Sequence, residues 1–152
     1  MEPSTVYGLK SPFIQGKDDM GEKIKVLIVE DEAIFAMSML RVLTMSGYEA
    51  CGPISTGEEA VKWVKKENPD LIIMDVSLKG RMDGIEAARL IRRRYTVPII
   101  FISGYQEEKL LEKARSLKFT NYLIKPIMPD DIKSAIEQTF KDQKSAFNKN
   151  PT

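Results

Sequence analysis

The chain has no histidine at all and a single cysteine, Cys51, among its 152 residues. Without an imidazole there is no histidine base, no histidine-ligated metal and no serine triad of the usual kind. One thiol excludes an internal disulfide and a multi-cysteine metal site. Cys51 falls in a strand-like segment, where a buried, inert side chain is the expected reading. Neither sign of charge is in excess: 23 Lys and Arg face 22 Asp and Glu, a net of +1. Such a balance gives no argument for a nucleic-acid-binding or membrane-binding surface. The basic run Arg92-Arg93-Arg94 closes a predicted helix, where cations suit the helix dipole, and reads as a solvated helix end. No apolar stretch approaches membrane length and the amino terminus lacks a signal-peptide core, so the expected compartment is the cytoplasm, without membrane insertion.

What the chain does contain is enough apolar material, 43% of residues, for one domain with a core. Residues 1–22 are polar and aperiodic and are expected to form a flexible leader. Residues 142–152 are expected to form a flexible tail, which leaves a domain over 23–141. Within it, strand-like and helix-like segments alternate five times. Strands are predicted near 25–29, 48–53, 71–74, 98–102 and 121–124, and helices near 32–46, 57–67, 84–94, 107–117 and 129–141. Thr56-Gly57-Glu58-Glu59 and Asp83-Gly84-Ile85-Glu86 read as capping boxes. Gly47 suits a helix stop, and Pro129 with Asp130 and Asp131 a helix start. The last helix has the clearest stripe, in Ile132, Ala135, Ile136 and Phe140. Phe35, Met39, Val42 and Leu43 are candidates for the inner face of the first, which is apolar over much of its circumference. Strict alternation predicts right-handed crossovers and a parallel sheet with helices on both faces.

Chemistry collects at the strand ends. Asp75 follows Leu71-Ile72-Ile73-Met74, a run too short for a helix and unbroken by polar residues, as a strand buried on both faces requires. The acidic pair Glu30-Asp31 follows Lys25-Val26-Leu27-Ile28-Val29. Ser103 follows Pro98-Ile99-Ile100-Phe101-Ile102, and Lys125-Pro126 follows Tyr122-Leu123-Ile124. Open α/β sheets build their sites at this carboxyl edge. Three acids converging there repel one another unless a cation lies between them, and Mg²⁺ prefers such hard oxygen ligands. The plainer alternative, that Asp31 caps the first helix, explains one acid but neither Glu30 nor Asp75. An aspartate can take a phosphoryl group as an acyl phosphate, with the metal and Lys125 offsetting the developing charge. Ser103, followed by the small Gly104, is placed to donate a hydrogen bond to a phosphoryl oxygen.

Over residues 24–141 these features resemble the receiver domain of two-component response regulators. The resemblance rests on Glu30-Asp31, Asp75, the Met82-Asp83-Gly84 turn, Ser103, Lys125-Pro126 and the aromatic Tyr122 three residues before the lysine. It implies a flavodoxin-like doubly wound sheet, (βα)5, with strand order 2-1-3-4-5. Implied with it are Mg²⁺-dependent phosphorylation of Asp75 by a histidine kinase or histidine phosphotransfer protein, with Mn²⁺ as a substitute metal. The implied metal ligands are Glu30, Asp31, Asp75 and a backbone carbonyl from Ser77. The implied catalytic groups are Asp75, Lys125 and Ser103, with Ser103 and Tyr122 as the switch pair. The output would be a downstream protein or a second copy docking on the fourth and fifth helices. Catalysis would be confined to the chain's own phosphorylation and slow dephosphorylation, and the chain would be a stand-alone or excised receiver. Three positions depart from the family pattern. Glu30 replaces the commoner aspartate, the loop over 76–82 lacks the usual proline and is about one residue longer, and Gly104 stands where alanine is usual.

Two other classes fit less well. A haloacid-dehalogenase-type phosphohydrolase needs a second acid two residues after the nucleophile, where this chain has Ser77. A flavin-binding flavodoxin needs a phosphate-cradling loop after its first strand, where Glu30-Asp31-Glu32 would repel the phosphate. A receiver that signals without phosphorylation is the third reading, distinguished by its failure to react with a small-molecule phosphodonor.

Overall fold

Five strands and five helices alternate along the chain in the computed structural model, which describes residues 16–18 and 20–149. The order is β1 (Lys25–Val29), α1 (Ala33–Met45), β2 (Glu49–Ile54), α2 (Gly57–Glu67), β3 (Leu71–Asp75), α3 (Gly84–Arg92), β4 (Ile99–Ser103), α4 (Glu108–Glu112), β5 (Thr120–Ile124) and α5 (Pro129–Lys149). All strand pairs are parallel and the sheet order is β2-β1-β3-β4-β5, the doubly wound flavodoxin-like arrangement. No helix among the described residues is long and apolar enough to cross a membrane.

The unbroken apolar runs have a direct cause. Every residue of β3 and β4 is buried, because helices cover both sheet faces. Leu27, Val29, Ile72, Met74, Ile99 and Phe101 point to the side covered by α2, α3 and the α4 segment. Val26, Ile28, Leu71, Ile73, Ile100 and Ile102 point to the side covered by α1 and α5. Burying one such side chain is worth about 1.5–3 kcal/mol, so a one-residue slip of a central strand keeps its hydrophobicity but breaks its packing. On α5 the expected stripe is in place, with Ile132, Ile136 and Phe140 buried and Ala135 packed against them. The first helix buries Ala36, Met39 and Leu43, a narrower face than its composition offers. Ile34, Met37 and Met45 stay exposed.

Local chemistry sets the helix starts. Asp83 and Glu86 form the complete capping box at α3. At α2 the Thr56 hydroxyl oxygen accepts from the Glu59 amide, one half of the box expected there. That helix stops at Asn68 in the left-handed conformation, just before Pro69. Gly84 is demanded by closeness: a Cβ there would lie 2.0 Å from the Asp75 carbonyl oxygen. Only glycine lets α3 begin hard against the backbone of β3, where its amide donates to the Val76 carbonyl.

Four expectations need correcting. The helix predicted over 107–117 is regular only across Glu108–Glu112, and i→i+3 bonds carry the chain through Leu117 towards Phe119, which has a φ of 59°. Arg92 is no solvated helix end. It is half-buried, donates to the carbonyls of Tyr95 and Phe119, and lies 5.7 Å from the Phe119 ring centroid, and burial lowers its pKa to about 10. Cys51 is half-buried rather than buried, on edge strand β2, which among the described residues pairs only with β1, and burial still raises its thiol pKa. Structure also extends past both expected domain boundaries. The Gly16 carbonyl accepts from the Ile24 amide, the buried Asp18 carboxylate accepts from the amides of Met20 and Glu22, and a Cβ on Gly16 would lie 2.2 Å from the Gly47 carbonyl carbon. The α5 helix continues to Lys149, with the Phe147 ring tilted against Phe119 at a centroid distance of 5.4 Å. The rest of the expected leader, 1–15, and of the expected tail, 150–152, lie outside the described residues, as does Asp19.

Candidate functional site

Parallel strands β1 and β3 are neighbours, with Val29 opposite Met74, so the residues that follow them emerge side by side. Glu30 and Asp75 are both buried, and Asp31 is half-buried between helix and loop. One carboxylate oxygen from each lies within 4.8 Å of the others. The structure therefore brings all three predicted acids into one cluster. Capping is not the role of Asp31. The α1 helix starts at Ala33 with Glu32 as its N-cap and no side-chain cap, while Asp31 Oδ2 accepts from the Lys79 amide at 2.9 Å.

Backbone amides hold the cluster in shape. The Ser77 amide donates to Asp75 Oδ1 at 3.0 Å, and the Glu32 amide donates to Glu30 Oε2 at 2.9 Å. The other Glu30 oxygen, Oε1, is buried without a hydrogen-bond partner. The expected cation faces it: Lys125 Nζ lies 3.5 Å from Glu30 Oε1 and 3.8 Å from Asp75 Oδ2. Its backbone is fixed by continuing the sheet ladder, since the Lys125 amide donates to the Ser103 carbonyl at 2.9 Å. The Lys125–Pro126 peptide is cis. Ser103 is buried at the end of β4, opposite Ile124 and one position beyond Ile102, the register partner of Asp75.

Protonation reflects this crowding. Burial pushes the Glu30 carboxyl from 4.5 up to about 7, with the Asp75 charge adding to it and the Glu32 amide opposing it. Burial also raises Asp75, against the Ser77 amide and the Lys125 charge, and Glu107 raises it further. Burial alone would lower the Lys125 ammonium, but the charges of Asp75, Glu30 and Glu32 outweigh it and hold it above its ordinary value. Carboxylates whose charged forms are disfavoured by burial and by one another, one with an unpartnered oxygen, are a hard-oxygen donor set that suits a divalent metal.

Tyr122 lies apart from the cluster. It sits on edge strand β5 opposite Phe101 and is 58% exposed. Beside it, between β5 and the α4 segment, is a cavity of about 780 Å³ lined by Phe101, Leu111, Ala114 and Tyr122 among others. Three features of the site escaped the sequence reading. The amide of Lys79 binds Asp31, but backbone donors carry no residue-type signal. Glu107 accepts from the Gly104 amide, placing a further negative charge near Asp75. Phe35, assigned to the inner face of the first helix, lies with its ring centroid 4.6 Å from Lys125 Nζ. Its position one turn after Asp31 was the available clue.

Comparison with known proteins points the same way. A family model described as the response regulator receiver domain matches residues 26–137. The transcriptional regulatory protein PdtaR of Mycobacterium tuberculosis is 40% identical over 113 residues, 74% of this chain and 55% of that protein. The chain thus spans about half the length of that relative. Among solved structures, the signal receiver domain of a modulated diguanylate cyclase from Desulfovibrio desulfuricans G20 superposes with a TM-score of 0.73 at 33% identity, covering 80% of this chain and 97% of that one. The receiver domain of a sensor histidine kinase from Pseudomonas aeruginosa PAO1, with a magnesium ion coordinated in its active site cleft, has a TM-score of 0.69 at 25% identity, covering 77% of this chain and 97% of that one.

Proposed function

This chain belongs to the response regulator receiver family of two-component signalling, and on that premise we propose that Asp75 accepts a phosphoryl group from a histidine kinase or histidine phosphotransfer protein in a Mg²⁺-dependent reaction. The observation that carries this is the convergence of Glu30, Asp31 and Asp75 within 4.8 Å, with Lys125 Nζ 3.8 Å from Asp75 Oδ2. Glu30, Asp31 and Asp75 are the side chains that would hold the ion, with the Ser77 carbonyl as the backbone ligand. Mn²⁺ suits the same oxygens. The bound ion would offset charge on the phosphoryl oxygens.

The chain's own groups divide the remaining work. An Asp75 carboxylate oxygen bonds to phosphorus as the bond from phosphorus to the donor nitrogen breaks, and the electron pair leaves with the donor imidazole. These 152 residues contain no histidine, so the donor imidazole lies outside them. Lys125 meets the negative charge on the transferred group, and the Ser103 hydroxyl donates to one of its oxygens. Catalysis is limited to this self-modification and its slow hydrolysis, and the cytoplasm is its compartment.

The phosphoryl group then acts as a switch. Drawing Ser103 towards Asp75 frees room along β4, and Tyr122 turns from its exposed position into the cavity beside Phe101. The short α4 and edge strand β5 line that cavity and, with α5, form the docking face for a protein target or a second copy, without direct nucleic-acid contact. Incubation with acetyl phosphate and Mg²⁺ should add one phosphoryl group by intact mass. Chelation with EDTA and the Asp75→Asn substitution should each abolish it. An Asp75→Asn protein that is still modified overturns the assignment.

A further inference from the structure

Phe35 belongs to none of the roles assigned above. It lies in the first turn of α1, half-buried, and packs against the apolar cluster that contains Ile28, Met39 and Ile102. Its ring centroid is 4.6 Å from Lys125 Nζ. The ammonium's two carboxylate contacts, at 3.5 and 3.8 Å, are long, and Glu30 Oε1 has no hydrogen-bond partner, so they attract the charge without fixing its direction. Lysine is a hydrated point charge on a flexible stem, and this side chain keeps 27% exposure, so water competes for it. An aromatic face within about 6 Å supplies what the carboxylates do not, a directional attraction to the ring quadrupole on a surface that water cannot use.

We propose that Phe35 is a positioning residue for phosphoryl transfer, its ring holding the Lys125 ammonium over the acid cluster before the donor arrives. The proposal rests on Asp75 being the acceptor. A ring suits the task better than a hydrogen-bonding side chain would. It attracts the cation without neutralising it and offers no strong acceptor to occupy the N–H groups that the phosphoryl oxygens need. The face of the ring therefore matters, and apolar bulk alone does not suffice.

Phe35→Leu and Phe35→Tyr separate these contributions, because both keep an apolar body against the cluster while only tyrosine keeps the ring. With acetyl phosphate and saturating Mg²⁺, Phe35→Leu should phosphorylate about five-fold more slowly than the parent, the size of a partly desolvated cation–π contact, and Phe35→Tyr within about two-fold of it. In phosphate-free protein, the Lys125 side-chain methylene protons nearest the nitrogen should be ring-shifted upfield in the parent and in Phe35→Tyr, and return to ordinary values in Phe35→Leu. This NMR reading needs no phosphorylation. A parent that takes no phosphate sinks the acceptor assignment, and the positioning role with it, while the shift still reports the contact. A parental rate in Phe35→Leu, an equal loss in Phe35→Tyr, or unshifted Lys125 protons in the parent would each overturn the role given to the ring.

Discussion

Replacing Glu30 with glutamine should remove a pH dependence of stability that the metal-free protein carries. Burial, aided by the Asp75 charge, raises the Glu30 carboxyl from 4.5 to about 7 in the folded state. Between those values the native protein keeps a proton that the unfolded chain has released, so stability falls as pH rises through the window. At about 1.4 kcal/mol per pH unit the displacement is worth about 3 kcal/mol, of which roughly 2.5 kcal/mol falls between pH 5 and pH 8. Glu30→Gln has no such proton to lose. Whatever fixed cost or gain the amide brings is the same at both pH values and drops out of the comparison. Asp75 is raised as well and interacts directly with Glu30, so the comparison reads the pH dependence of the pair rather than of one carboxyl alone. The assay is urea unfolding in EDTA at pH 5 and pH 8. The expected result is that the stability difference between Glu30→Gln and parent shifts by about 2–3 kcal/mol in favour of the mutant at the higher pH. Saturating Mg²⁺ should flatten the parental profile, because a cation among the acids favours their charged forms. Parallel pH profiles for parent and mutant in EDTA would refute the reasoning.

Three further outcomes follow from the fold. Gly84→Ala places a methyl group 2.0 Å from the Asp75 carbonyl oxygen, against backbone that cannot rotate away, and should cost about 3 kcal/mol in urea unfolding while slowing phosphorylation. Asp83→Ala removes the cap that Glu86 completes and should cost about 1 kcal/mol by the same measurement. Deleting residues 1–22 removes the Asp18 turn and the Gly16–Ile24 hydrogen bond, and should lower stability by about 1 kcal/mol, with no change in acetyl phosphate reactivity.

Sequence alone determined the alternation of elements, because the signals were local. Apolar runs such as Leu71–Met74 are legible when both faces of a strand are dry, and Asp83 with Glu86 announces a helix start within four residues. Acids, a serine and a lysine at four strand ends were legible for the same reason, since a parallel sheet places every strand's carboxyl end on one edge. Tertiary structure decided what depends on residues distant in the chain. It set Asp31 against the Lys79 amide instead of at the helix end, and left one Glu30 oxygen without a hydrogen bond. It also shortened α4 and carried α5 to Lys149, where Phe147 finds Phe119. The ring of Phe35 against Lys125 is the clearest instance. Its apolarity told of burial, but only the tertiary fold, which brings the Lys125 side chain to the first turn of α1, gave the ring a cation to face.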